Sequence, residues 1–228
     1  MTQVKLLTDA IDDFIKGCKA DGNWDQIKAC CIMAAWDGLN GALVPIKGPA
    51  PTNFNFVSAD YNRKTGLKGD GATKYLNSNR ANNADPQNDN HNAAFLTQLG
   101  TSAAYTVIAA GTGTTNGTNL ISAFEGGFSR SRSSTGTAHG TALATGLVGA
   151  SRSASASYIV RSAGVNETIS VASNGALSNS VLVYRREGEF ANFSNIRASF
   201  YSIGESIDLA ALDARVTNLM TAIDGAIT

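Results

Sequence analysis

Apolar positions along the chain follow three successive patterns. In residues 1–40, Leu7, Ile11, Phe14, Ile15 and Cys18 recur at helical spacing, with Asp9, Asp12, Asp13 and Lys16 between them. Gly22 and Asn23 interrupt this helix. Asn23 with Gln26 three residues later fits a capping box, and Ile27, Cys30, Cys31, Ala34 and Ala35 then predict a second helix stopping at Gly38. From about 41 to 204 the pattern changes to short apolar runs separated by Gly, Ser, Thr and Asn. Runs at 54–57, 75–76, 93–96, 105–109, 120–124, 143–148, 157–161, 168–172, 181–184 and 196–203 predict strands. Asn116-Gly117, Asn174-Gly175 and the stretch from Lys68 to Gly71 supply turns between them. From Ser206, a fair N-cap, Leu209, Leu212, Val216, Leu219, Ile223 and Ala226 return to spacings of three and four.

These patterns predict a mainly β protein. A β-sandwich over 41–204 lies between an N-terminal helical pair in 1–40 and a C-terminal helix in 205–228. The closing seam has two readings: a terminal helix packed on its own sandwich, or a short oligomerisation coil. Trp24 and Trp36 are expected to anchor the helical pair through their large apolar area. The Ser- and Gly-rich stretch 129–140 reads as a long mobile loop at the sandwich rim, with Arg130 and Arg132 exposed on it.

Composition narrows the function classes. Of 228 residues, 43% are hydrophobic and only 16% charged, so Ser, Thr, Asn and Gly must form much of the surface. Eighteen basic residues balance eighteen acidic ones. That argues against nucleic acid as a partner and permits close packing of copies. Three cysteines, Cys18, Cys30 and Cys31, form no disulfide framework and read as reduced core residues. No run approaches a membrane span, and the aspartates at 9, 12 and 13 interrupt any signal-peptide core, so synthesis and folding in a cytoplasm are expected.

Candidate chemistry is sparse. Of the five glutamates (Glu125, Glu167, Glu187, Glu189 and Glu205), Glu187 and Glu189 would share a strand face, but Arg185, Arg186 and Gly188 around them suit a hairpin tip. His139 has threonines nearby and no nucleophile-elbow pattern. No catalytic residue is assigned, and no enzyme activity is expected. The candidate ligand-binding residues are Arg130, Arg132 and His139. Stacking aromatics, if used, are among Tyr105, Phe124, Phe128 and Tyr158, for each of which core packing is the plainer role. The Asx-rich stretch 82–92 contains Asp85 and Asp89, oxygen donors of the kind calcium takes; Asx turns explain the same composition. No cofactor is otherwise expected.

Three segments carry a resemblance. Phe14 and Ile15, followed by Gly17, Lys19, Ala20, Asp21, Gly22 and Trp24, resemble the opening of a group of phage and prophage proteins. Gly66, Leu67, Gly69, Asp70, Gly71, Thr73, Tyr75 and Leu76 resemble a second segment of that group. The stretch 200–207 resembles its final strand and closing helix. The match covers the two ends and about a third of the chain; the middle, 100–190, matches nothing. Such proteins look like concanavalin A-like, or laminin-G-like, jelly rolls. The resemblance implies a virion component: a tail-fibre or receptor-binding module, or a decoration of the head or tail. It implies other virion proteins, and a host surface glycan or protein, as partners, and a homo-oligomer, by analogy a trimer. A jelly-roll polysaccharide-degrading enzyme is the outlying alternative.

Overall fold

The computed structural model describes residues 2–113, 116–123, 126–188 and 192–227. Helix α1 (Gln3–Ala20) leads into strand β1 (Ile27–Ile32) and a one-turn helix α2 (Leu39–Ala42). Strands β2 (Thr52–Phe54), β3 (Tyr61–Asn62), β4 (Gly66–Lys68), β5 (Tyr75–Ala81) and β6 (Asn90–Gln98) follow. Next come β7 (Thr106–Ala110), β8 (Thr118–Ser122), β9 (Phe128–Ser133), β10 (Thr137–Ala138) and β11 (Gly146–Arg152). The chain ends through β12 (Tyr158–Ser162), β13 (Val165–Ile169), β14 (Ser180–Val183), β15 (Arg197–Gly204) and helix α3 (Leu209–Ala226).

Among the described residues the strands form two antiparallel sheets. One has eight strands, ordered β13-β12-β11-β6-β15-β4-β3, with β1 joining the same edge of β15 that β4 uses further along. The other has seven, ordered β10-β9-β8-β7-β14-β5-β2. Ala94, Leu96, Val148, Val160, Ala198 and Tyr201 of the first sheet pack against Leu76, Val107, Ile121, Val181 and Val183 of the second. The opposite face of the eight-stranded sheet is covered by α1 and α3. There Phe14, Leu212, Val216 and Leu219 meet Ile32, Ala93, Leu147 and Phe200. The molecule is therefore layered as helices, then sheet, then sheet.

The sandwich stands as expected, with one correction: the second N-terminal helix does not exist. Residues 27–32 form β1, paired with Phe200–Gly204 of β15. Ala29, Cys31 and Met33 face the space between the sheets, whereas Cys30, Ile32 and Ala34 face the helices. A strand buried on both faces is apolar at every position, and a short apolar run of that kind carries no period by which to tell it from a helix. Asn23 caps no helix at its own position. Its side chain instead donates to the Asp208 carbonyl (3.1 Å) and accepts from the Asp208 amide (3.1 Å), tying β1 to the start of α3. The true N-cap of α3 is Asp208, two residues beyond Ser206, and its Oδ1 accepts from the Ala210 and Ala211 amides.

The seam on α3 is buried within its own chain: Leu209, Leu212, Val216, Leu219, Ile223 and Ala226 are all covered by α1 and the sheet. It is a packing face and leaves no coil for a second copy. The two tryptophans are half-buried at the margins of this layer. Lys47 lies 4.9 Å from the Trp24 ring centroid, and Trp36 Nε1 donates to the Ile32 carbonyl (2.6 Å). The resembling segments are structural in the same sense. The first closes α1 and turns into β1, the second spans β4, its turn and the start of β5, and the third is β15 with its exit. In the second, Asp70 Oδ1 accepts the amides of Ala72, Thr73 and Lys74, and Gly66, at φ +87°, sits where a Cβ would come within 2.1 Å of the Ala198 carbonyl.

Phe200 joins the layers, with its ring edge-on to Phe14 at 5.7 Å. Phe200→Ala is expected to lower the unfolding free energy by about 3–5 kcal/mol in urea titration. Val165→Ala, at an exposed edge position, is expected to change it by less than about 0.5 kcal/mol.

Candidate functional site

The outer face of the seven-stranded sheet is the face no helix covers. Along β8 and β9, Ile121 and Ser129 point inward, so Leu120, Ser122, Phe128 and Arg130 point outward. Register makes them a square: Leu120 pairs with Arg130, and Ser122 with Phe128. The same row continues from Leu120 to Ala109 on β7 and Leu182 on β14. Leu182, Ala109 and Leu120 are nonetheless buried. The connection from β14 to β15 folds back over them, held by the Glu187 amide on the Gly111 carbonyl (3.3 Å) and the Thr106 amide on the Asn192 carbonyl (3.0 Å).

Where this connection stops short of β8 and β9, a groove of about 280 Å³ remains. Leu120, Ser122, Phe128 and Arg130 form its floor, and Ala104, Gly113, Arg186 and Asn192 its walls. Its volume lies just below the range of small-molecule sites, ~300–1,000 Å³. Two wall elements hold unfavourable backbone. Tyr184, which launches the connection, has φ 75°, and Asn192 has φ 37°. Conformations of this kind persist where surrounding structure imposes them, and they concentrate at ligand sites. Burial lowers the pKa of both Arg130 and Arg186, and for Arg130 the neighbouring Arg186 charge lowers it further. Arg130 Nη1 donates to the Ser134 carbonyl, while its Nε is buried without a hydrogen-bond partner.

Of the three ligand candidates from the sequence, only Arg130 lies in this groove. The stretch 129–140 is no loop at its start, since β9 runs through it with Ser129, Ser131 and Ser133 buried. Arg132 is 1% exposed, which overturns its placement on an exposed rim. The pairing of β8 with β9 slips here, so that Arg132, at φ 47°, is the extra residue of a β-bulge. Its guanidinium donates to the carbonyls of Asn82, Asp85 (2.9 Å) and Pro86. Burial pushes its pKa down to about 10, so it keeps its charge at neutral pH and pins the 82–86 turn. His139 is also buried: its Nδ1 donates to the Thr141 carbonyl (2.6 Å), and its ring fills the space beside Gly127. A carbonyl only accepts, which fixes that nitrogen as the protonated one.

The two metal candidates are engaged elsewhere. Asp85 pairs with Arg80, and Asp89 accepts the Ser206 amide (2.6 Å). Among the described residues no three His, Cys, Asp or Glu side chains gather as a metal site. Glu187 accepts from Asn179, Glu167 accepts the Gly140 amide, and Glu205 pairs with Lys28 at 3.0 Å. Phe124, Glu125 and Glu189 lie outside the described residues. Tyr105 and Tyr158 are core side chains, leaving Phe128 as the aromatic at the groove among the described residues. Arg186 and Asn192 were not singled out from the sequence as ligand residues. The alternation of Phe128 and Arg130 with serines was the available signal for the floor.

The other histidine gives the structure a pH dependence. His91 is fully enclosed: Nδ1 donates to the Glu205 carbonyl, and Nε2 accepts from Ser202 Oγ (2.7 Å). Burial lowers its pKa to about 4. Between that value and the ordinary ~6.5 the unfolded chain binds the proton and the folded chain does not, so stability is full above about pH 6.5 and declines as pH falls through this window. The expected loss by pH 4 is about 3 kcal/mol. His91→Gln, compared with the parent by urea titration at pH 7, 5.5 and 4 (chosen points within about 2.5 units of ~6.5), is expected to flatten that slope. An unchanged slope would refute the assignment.

No family model matches the chain, and no curated protein matches it. Solved structures do. The binding domain of botulinum neurotoxin serotype D superposes with a TM-score of 0.56 at 11% identity, over 85% of this chain and 50% of that one. The binding domain of botulinum neurotoxin DC, in complex with SialylT, gives 0.53 at 9%, over 86% of this chain and 52% of that one. A botulinum neurotoxin type C structure, described with cell entry dependent on two ganglioside molecules, gives 0.52 at 10%, over 86% and 51%. The chain spans about half the length of these neighbours, and at such identities the likeness is one of fold: a two-sheet antiparallel β-sandwich.

Proposed function

We propose that the chain is a non-catalytic binding module of lectin-like type, with a surface carbohydrate as ligand and the groove over β8 and β9 as its site. The observation that carries this reading is the groove on the helix-free face, where Phe128 and Arg130 reach the surface beside the buried Leu120 and Ser122. It combines an aromatic surface, aliphatic floor and few polar groups, the usual composition of a small-molecule site. The β-sandwich shared with the binding domain of botulinum neurotoxin serotype D, and with a type C neurotoxin whose cell entry depends on two ganglioside molecules, supports the same direction.

The resemblance of the chain's two ends to phage proteins extends this to an adhesive module of a virion, attaching the particle to its host. A decoration protein bound to the particle itself is the second reading, favoured by the low charge content and zero net charge. No helix of the described residues is long and apolar enough to cross a membrane.

Labelled protein is expected to bind host cells and isolated host-surface oligosaccharides. Ala104→Trp, which fills the groove from its half-buried wall, is expected to weaken that binding at least tenfold (about 1.4 kcal/mol) with an unchanged far-ultraviolet dichroism spectrum. Binding confined to particles stripped of the protein would establish the decoration role instead.

A further inference from the structure

Within the proposed site, polar character comes chiefly from two guanidiniums. Arg130 rises from the floor on β9, and Arg186 descends from the β14–β15 connection. Both are partly buried, and a desolvated guanidinium donor that lacks an acceptor gains a charge-assisted hydrogen bond when a carboxylate meets it. Arg130 has such a donor in its buried, partnerless Nε. Two glycines admit the pair. At Gly113 a Cβ would come within 2.5 Å of Arg186 Nη1, and at Gly136 one would lie 2.0 Å from the Phe128 ring and 2.9 Å from Arg130 Nε. Both arginine positions thus depend on a neighbour without a side chain.

We propose that the groove selects sugars bearing a carboxylate, with Arg130 and Arg186 receiving the acid and Phe128 packing on an apolar face of the ring. This rests on the groove being the carbohydrate site. A planar carboxylate matches the fork of a guanidinium, and the groove's volume suits one pyranose. The chain's zero net charge gives no general attraction for acids, so selection would be local to this pair.

The test uses the full chain and an oligogalacturonate, measured by isothermal titration beside the same oligomer with its carboxyl groups reduced to alcohols, and beside polyglutamate. The proposal expects oligogalacturonate to bind and the reduced oligomer to bind about 10- to 100-fold more weakly, the worth of a charge-assisted hydrogen bond. Arg130→Gln and Arg186→Gln, each checked for an unchanged thermal midpoint, are expected to lose a similar factor for the acid and little for the reduced form. Equal binding of acid and reduced oligomers, both blocked by Ala104→Trp, would overturn the acid selection and leave the groove as the site. Acid binding that Ala104→Trp does not weaken would overturn both. Polyglutamate binding as tightly as the oligomer would show an acidic-peptide site and overturn the sugar assignment, and so would no binding of oligogalacturonate.

Discussion

Burial of the eight-stranded sheet on both faces is the constraint from which the architecture follows. Strands β1, β6, β11 and β15 carry apolar side chains on each side of the pleat, so the sandwich partner satisfies only half of them. Helices α1 and α3 satisfy the rest, although they lie at opposite ends of the sequence. They are linked across their exposed side by Arg215, whose Nε donates to Asp21 at 2.7 Å. With the partner sheet on one face and helices on the other, the central strands of this sheet have no face left for recognition. The seven-stranded sheet has one, and the groove lies there.

Charged groups inside the sandwich follow a different rule, in which the buried arginines Arg132 and Arg152 are each wrapped by backbone carbonyls. Arg152 is the clearest case. Its Nε donates to Ser131 (2.7 Å), its Nη1 to Ala154, Ser155 and Ser157, and its Nη2 to Val171 (2.9 Å). Arg132 does the same for the 82–86 turn. A loop whose carbonyls would otherwise be buried without donors is thereby both satisfied and fixed in place. These arginines organise the loops at one end of the sandwich, whereas Arg130, one position before the bulge pair, keeps its head on the outer face. Side chains two apart on one strand thus serve interior and surface because of a single inserted residue.

Much of the fold was legible in the sequence, and little of the site. The ten expected strands all overlap observed ones, because alternation and turn residues are local signals. The runs at 54–57, 143–148 and 168–172 are shifted, overlapping β2, β11 and β13 at their ends. The strand at 27–32 was misread because double-sided burial erases alternation. Strand β9 was hidden by its serines, which face inward and hydrogen-bond to Tyr158 and Asn90. Arg132 could not be told from Arg130, since a bulge arises from the register of two strands and leaves no mark in either alone. The walls contributed by Arg186 and Asn192 come from a connection whose path over the sheet is a tertiary fact.

The position of β15 has a consequence for how the chain reaches its native state. This strand occupies the middle of the larger sheet, between β6 on one side and β1 and β4 on the other, and it follows every other strand of that sheet in the sequence. Until it inserts, β6 presents an open edge, β1 has no partner strand, and the apolar face awaiting α3 is wet. Ribosome-bound chains therefore cannot consolidate this sheet progressively from the N-terminus. The topology demands closure of long-range pairings late, which favours slow folding and a dependence on protection of the nascent β6 edge until β15 inserts.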